Sequence, residues 1–215
     1  MRKLVLKMSV TADSFVSGPN GETDWLHRTI DEDALSWIED TLWQAGVHIM
    51  GSHTFYDMAS YWPDSTEPLA APMNQIPKIV FSRKGFIEPP SGDKTTLALR
   101  DAMKIRKEQG LKSVISEYSS TWTNVPVMCG DLSYDIAKLK QQDGKFILAH
   151  GGAGFARELI KENLIDEYRL LIHPVLIGSG LEIFSSILKP VDLKLESSTV
   201  FKSGIIANIY TPIVN

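Results

Sequence analysis

Apolar residues along this chain fall in short runs that end in glycine or a polar turn and then restart with the spacing of a helix. Leu4 to Val10 alternates and reads as a first strand, followed by a polar, glycine-bearing loop from Ser17 to Trp25. Asp31-Glu32-Asp33 supplies capping carboxylates for an amphipathic helix with Leu35, Ile38, Leu42 and Trp43 as its inward set, ending near Ala45-Gly46. Val47 to Met50 is then a short strand, and Gly51-Ser52-His53-Thr54 opens a second helix through about Ser60. Lys78 to Phe81 reads as a core strand and Val125 to Cys129 as another. The alternation then becomes regular: helix from Asp131 to Gln141, strand from Lys145 to Ala149, helix from Gly152 to Glu162, strand from Asp166 to His173. Leu193 to Phe201 and Ile205 to Thr211 flank Lys202-Ser203-Gly204 and predict an antiparallel hairpin. The pattern is that of an α/β protein, one domain over residues 1–215, with a mainly parallel sheet closed by that hairpin. Residues 86–121 break the rhythm with Pro89-Pro90 and a stretch spaced as a helix from Leu97 to Gln109, and read as an excursion from the sheet.

The sharpest local signal is Phe146 to Ile160, where an apolar run breaks into Gly151, Gly152 and Gly154 and a helical run follows at once. Missing side chains at such a turn let backbone N–H groups and the positive end of the helix dipole face an anion, typically a phosphate. A tight strand-to-helix turn also wants glycine for packing alone, so both readings stand. As a dinucleotide fingerprint the stretch is incomplete, because Arg157 occupies the position of the third glycine in G-x-G-x-x-G.

Composition narrows the classes. The 215 residues, 43% hydrophobic and 22% charged, suffice for one large core. A net charge of -4 with scattered Lys and Arg argues against a nucleic-acid partner, which needs a basic face. Lys3 and Lys7 interrupt the N-terminal apolar run and no run reaches spanning length, so neither a signal peptide nor a membrane partner is expected and a cytoplasmic location is. Cys129 is the only cysteine, and its apolar setting predicts a buried strand residue. His48, within a strand, reads as a satisfied core histidine, while His27, His53, His150 and His173 show no ligand spacing, so no metal is expected.

Taken in order, Met8 to Leu26, Ile49 to Met58, Lys78 to Arg83, Val127 to Asp131, Ile147 to Ala153 and Leu164 to Gly178 resemble the dihydrofolate-reductase-like family. The nearest resemblance is to its branch sharing the fold of the C-terminal reductase domain of bacterial riboflavin biosynthesis, and it covers nearly the whole chain apart from about 86–121. It implies a three-layer sandwich around a mostly parallel sheet, and NADPH bound across the carboxyl ends of the strands. By resemblance, Gly151, Gly152, Ala153, Gly154 and Phe155 lie on the pyrophosphate and nicotinamide side, and Gly51, Ser52, His53 and Thr54 hold the other face of the phosphates. Ser82, Arg83 and Lys84 follow the strand that ends near the adenosine ribose, where a serine beside two cations suits a 2′-phosphate, although a solvated basic turn would look the same.

The resemblance also makes Ser17 to Trp25 a lid over nicotinamide and substrate, with Trp25 either closing on the pocket or anchoring the loop. Met58, Tyr61 and Trp62 would line the substrate pocket, though their spacing equally fits a core face. Dihydrofolate reductases grip the pterin with a buried carboxylate on the first helix. That position falls on or beside Ala34, leaving Asp33 as the adjacent candidate acid or a mere helix cap. Asp13 is a second candidate, since Ala12-Asp13-Ser14 stands where the branch commonly has Leu-Asp-Gly, and it would contact substrate or fix the loop by bonding backbone N–H groups. The expected activity is hydride transfer from NADPH to a small molecule, a pteridine- or pyrimidine-like heterocycle or a carbonyl compound. The alternative is a nucleotide- or ligand-binding protein that keeps the fold without the chemistry. A homodimer is implied, with the late strands and the loop from Pro174 to Gly180 as interface candidates.

Overall fold

The computed structural model describes residues 1–85, 97–108, 110 and 121–213. The first half of the chain contains β1 (Leu4–Thr11), β2 (Phe15–Ser17), α1 (Asp24–Thr29), α2 (Glu32–Trp43), β3 (Ala45–Gly51), α3 (Ser52–Tyr61), α4 (Ala70–Gln75), β4 (Lys78–Phe81) and α5 (Leu97–Glu108). The second half contains β5 (Val127–Met128), α6 (Leu132–Lys140), β6 (Phe146–Ala149), α7 (Ala153–Lys161), β7 (Glu167–His173), β8 (Leu181–Glu182), β9 (Leu193–Val200) and β10 (Ile206–Pro212). Of the excursion at 86–121, only α5, Gly110 and Thr121 are described; Pro89-Pro90 lies outside the described residues.

Eight strands form one sheet in the order β5-β4-β3-β6-β1-β7-β10-β9. The first six in that order run parallel, and β10 and β9 add the antiparallel hairpin. β1 is central, in register with β6 through Leu4↔Ile147 and with β7 through Lys7↔Arg169 and Thr11↔His173. Alternate residues of these strands feed two cores. Leu4, Leu6, Ile49, Ile147 and Ala149 meet Ile136 of α6 and Ala156 and Leu159 of α7. Val5, Met50, Val80, Leu148 and Leu171 meet Ala34, Ile38 and Leu42 of α2, Phe55 of α3 and Met73 of α4. Helices therefore cover both faces, α6 and α7 one and α2, α3 and α4 the other.

Asp31 is the cap of α2: its carboxylate accepts from Ala34 N at 2.9 Å and from Ser203 N, in the β9–β10 turn, at 2.8 Å. The inward face of α2 is Ala34, Ile38, Thr41 and Leu42, not the expected set with Leu35 and Trp43. The helix ends at the amino edge of the sheet, where Thr41 turns in to accept from the buried Arg169 at 3.2 Å and Trp43 is left 37% exposed. Cys129 is exposed rather than buried, because β5 pairs over only two residues and Cys129 lies past its end. All eight residues of the edge strand β9 are exposed.

Candidate functional site

The glycine turns that are 100 residues apart in the chain lie side by side, because β3 and β6 are neighbours. Thr54 Oγ1 donates to Gly151 O at 2.8 Å, and His150 N donates to Ile49 O at 2.9 Å. Three of the glycines lie in close packing, and Gly152 is the one whose backbone also requires glycine. A Cβ on Gly152, which has φ +101°, would run into Thr54 Oγ1; one on Gly51 would lie 3.2 Å from Phe155 Cβ; one on Gly151 would lie 3.1 Å from Met8 Sδ. Gly154 differs, since a Cβ there would meet nothing within 4 Å. Its missing side chain leaves open space over the first turn of α7.

Helix ends sharpen that contrast. α2 and α6 begin with aspartate caps, Asp31 and Asp131, whereas α3 and α7 begin at Gly51 and Gly152 with no side-chain cap and no acid in the first turn. Two positive dipole ends therefore stand uncapped together, as an anion site requires. On the other side of β3, β4 ends at Phe81, whose ring stacks on Phe155 with centroids 5.3 Å apart. Ser82, Arg83 and Lys84 follow in a turn, and both cations are exposed. The three predicted cofactor segments thus sit over β4, β3 and β6, consecutive in the sheet. Two uncapped helix starts and, on the neighbouring strand, a basic turn are groups that suit phosphates.

Beside this row, on the face covered by α2, the sheet carries a cluster of basic side chains. His48 of β3, His150 at the end of β6, Lys7 of β1 and His173 of β7 come from four adjacent strands, with Lys78 of β4 next to His48. The His48 and His150 rings meet edge to face at 4.5 Å. Both nitrogens of His48, Nε2 of His150, Nε2 of His173 and Nε1 of Trp25 are buried with no hydrogen-bond partner. Burial, then the charge of Lys7, pushes His150 down to about 3 and His173 to about 4. Burial, His150 and Lys78 hold His48 well below the ordinary imidazole value. Lys7 is itself lowered to about 8 by burial, and no carboxylate among the described residues pairs with it. Lys78, also lowered to about 8 by burial, has partners: it donates to the carbonyls of Asn74 and Ile76, both at 2.9 Å.

His48 is thus a core histidine, and His150 and His173, scattered in sequence, are brought to one face of the sheet. Lys7 and Ser9 were missed as site residues although a signal existed. A central parallel strand with helices on both faces is normally apolar throughout, so a lysine and a serine on one face of β1, both only half-buried, mark a polar opening in that face.

Trp25 is 1% exposed and packs edge-on to His173 at 5.0 Å; Thr29 Oγ1 lies 2.9 Å from Trp25 O and 2.6 Å from His173 Nδ1. The loop before it is tied down by Gly18 N to Glu22 O at 2.9 Å and by Thr23 N to the Asp101 carboxylate of α5 at 3.3 Å. Asp13 accepts from Thr11 Oγ1 at 2.5 Å, Gly178 N at 2.8 Å and Ile177 N at 3.0 Å, bonds that keep its carboxyl below the usual range, Thr11 foremost. Ser14, where the branch commonly has glycine, adopts φ 70°. Asp33 is 59% exposed and pairs outward with Lys202 at 3.4 Å, while the buried position of that turn is Ala34. Tyr61 is buried with its hydroxyl on Glu67, Trp62 packs edge-on to Tyr61, and Met58 packs against the α2-side core. His53, on α3, is exposed.

Two open depressions, of about 470 and 640 Å³, lie at the opposite, amino-terminal edge of the sheet, around Gly46 and Pro126 and around Trp43 and Phe146. Among the described residues no group of three or more His, Cys, Asp or Glu could hold a metal ion, and no helix is long and apolar enough to cross a membrane.

A mostly parallel sheet with an antiparallel C-terminal hairpin, sandwiched by helices, defines a dihydrofolate-reductase-like fold. The RibD C-terminal domain matches residues 2–207, and the chain belongs to that family of reductase-like enzymes. It is 28% identical over 210 residues to YyaP, an uncharacterized protein of Bacillus subtilis strain 168, covering 97% of this chain and 94% of that one. The fold is shared with a diaminohydroxyphosphoribosylaminopyrimidine deaminase/5-amino-6-(5-phosphoribosylamino)uracil reductase from Thermotoga maritima (TM-score 0.63, 18% identity, 99% of this chain, 57% of that one). It is also shared with dihydrofolate reductase from Enterococcus faecalis, solved with NADP(H) (TM-score 0.56, 14% identity, 99% of this chain, 97% of that one).

Proposed function

We propose that this protein is an NADPH-dependent reductase of a small carbonyl compound or a pteridine- or pyrimidine-like heterocycle. The observation that carries the reading is the contiguity, over three neighbouring strands, of two uncapped helix starts and a basic turn. Gly51 to Thr54 and Gly151 to Phe155 would hold the phosphates and the nicotinamide side, and Ser82, Arg83 and Lys84 the 2′-phosphate. NADPH supplies a hydride when bound. The chain's own residues hold the acceptor, exclude water and place a proton on the heteroatom. Lys7 Nζ suits the last task, because a group lowered to about 8 is largely protonated at neutral pH yet gives its proton up readily. Trp25 would close the site, with Met58, Tyr61 and Trp62 on its wall and Asp13 fixing the loop from Ile177. Asp33, paired outward, takes no part in this reading.

Ala34, in place of a buried acid, favours a second reading, a non-catalytic ligand-binding protein on the same fold. The chain has five tryptophans, so energy transfer from tryptophan to nicotinamide reports cofactor binding directly. NADPH is expected to bind much more tightly than NADH; equal or absent binding overturns the proposal. If NADPH binds, turnover across carbonyl compounds and dihydropterins separates enzyme from binder. A homodimer through β9 belongs to the same proposal, supported by Leu193 and Leu195, 39% and 51% exposed on an unpaired sheet edge.

A further inference from the structure

The polar face of β1 beneath α2 presents hydrogen-bond donors in excess. Lys7 Nζ and Trp25 Nε1 can only donate; the Trp25 N–H is buried without a partner, and the half-buried Lys7 pairs with no carboxylate among the described residues. His150, 7% exposed, and His173, fully buried, each keep an unpartnered Nε2 and can donate or accept by choice of tautomer. Of the side chains that α2 buries, Ala34, Ile38 and Leu42 bring no acceptor, and the Thr41 hydroxyl already accepts from Arg169. Buried donors of this kind are costly unless a ligand supplies the acceptors. Of the two ammoniums in the cluster, Lys78 already donates to the carbonyls of Asn74 and Ile76, which leaves Lys7, beside the neutral rings, as the one with donors unspent for an anion.

We propose that this recess receives a carboxylate, so that the compound reduced is a small carboxylic acid, with Lys7 as the charged anchor and His150 and Trp25 as neutral donors. The inference rests on the reductase reading and narrows it to a substrate class. In a 2-oxo acid the reducible carbonyl adjoins the carboxylate. Reduction forms one C–H bond from the hydride of NADPH, which is oxidised to NADP⁺, breaks the C=O π bond, and places on that oxygen one proton, supplied by Lys7 Nζ or by water.

Isothermal titration calorimetry of the full chain, with and without NADP⁺, tests this with two acids against their methyl esters, phenylglyoxylate for a 2-oxo acid and orotate for a pyrimidine acid. At least one acid is expected to bind roughly 10- to 100-fold more tightly than its ester. Lys7→Met should abolish that preference and Lys7→Arg retain part of it. Equal or absent binding of acid and ester in both pairs, tighter binding of 7,8-dihydropterin than of either acid, or a preference that survives Lys7→Met overturns the inference. If Lys7→Met does not fold by circular dichroism, the wild-type acid and ester pairs decide. The cofactor titration fails independently: loss of NADPH binding sinks the reductase reading, whereas NADPH binding without acid preference sinks only the carboxylate site.

Discussion

Gly154 and Gly152 stand two residues apart at the start of α7, and alanine at each should act in opposite directions. At Gly154 the backbone is helical and a Cβ meets nothing within 4 Å, so alanine removes only unfolded-chain freedom. That stabilises by about 0.4–1 kcal/mol, raising Tm by roughly 1–4 °C in a chain of this length. At Gly152, φ is +101° and the Cβ runs into Thr54 Oγ1. The backbone conformation costs about 1–3 kcal/mol and the broken Thr54–Gly151 hydrogen bond about 1 more, lowering Tm by roughly 4–16 °C. Cofactor binding adds the decisive contrast. If the open space over Gly154 is where the pyrophosphate approaches, Gly154→Ala weakens NADPH by roughly 10-fold or more, about 1.4 kcal/mol, while the protein melts higher. Thermal melts followed by circular dichroism and fluorescence titration with NADPH measure the two effects on one sample. A Gly154→Ala protein that melts higher and binds NADPH as wild type would refute the placement.

Three further outcomes follow from the buried network. His48, His150 and His173 are held neutral in the fold but protonate near 6.5 when unfolded, so their contribution is complete above that value and is lost as pH falls toward about 4 and 3 for His173 and His150. Each should lower stability by about 1.4 kcal/mol per pH unit in that window. The neighbouring Lys7 and Lys78, near 8, do not titrate there. Urea unfolding at pH 7 and 5 should therefore show a shallower pH dependence for His150→Gln than for wild type, and an unchanged slope would count against the buried neutral ring. Asp13→Ala should expose the amides of Ile177 and Gly178 to rapid hydrogen exchange while β1 and β6 stay protected; protection retained there would deny the clamp. Leu195→Glu on β9 should shift the mass measured by light scattering from dimer to monomer with the melt little changed, and a monomeric wild type would end the dimer proposal.

Element order was legible from local chemistry. The hydrophobic period of β1, β6 and β7, the aspartate caps of α2 and α6, and the turn at Lys202 to Gly204 act over a few residues and leave a local trace. Shorter pieces left little: β2 and β8 exist only by pairing with each other, and the fate of Trp43 depended on where the end of α2 met the sheet edge. Within the site, the glycine turns were conspicuous but ambiguous. Only their juxtaposition distinguishes Gly51, Gly151 and Gly152, filled by Phe155, Met8 and Thr54, from Gly154, which faces open space.

By itself, then, the sequence determined an α/β chain whose strands run into glycine-opened helices, because period, cap and turn are properties of neighbouring residues. Tertiary structure alone decided that Lys7, His48, His150 and His173, spread over 167 positions from first to last, share one face of four adjacent strands, and that Asp33 points away from it. Strand order and register set that assembly. They arise from long-range pairing, and a polar residue on a buried strand shows its chemistry only once its neighbours across the sheet are known.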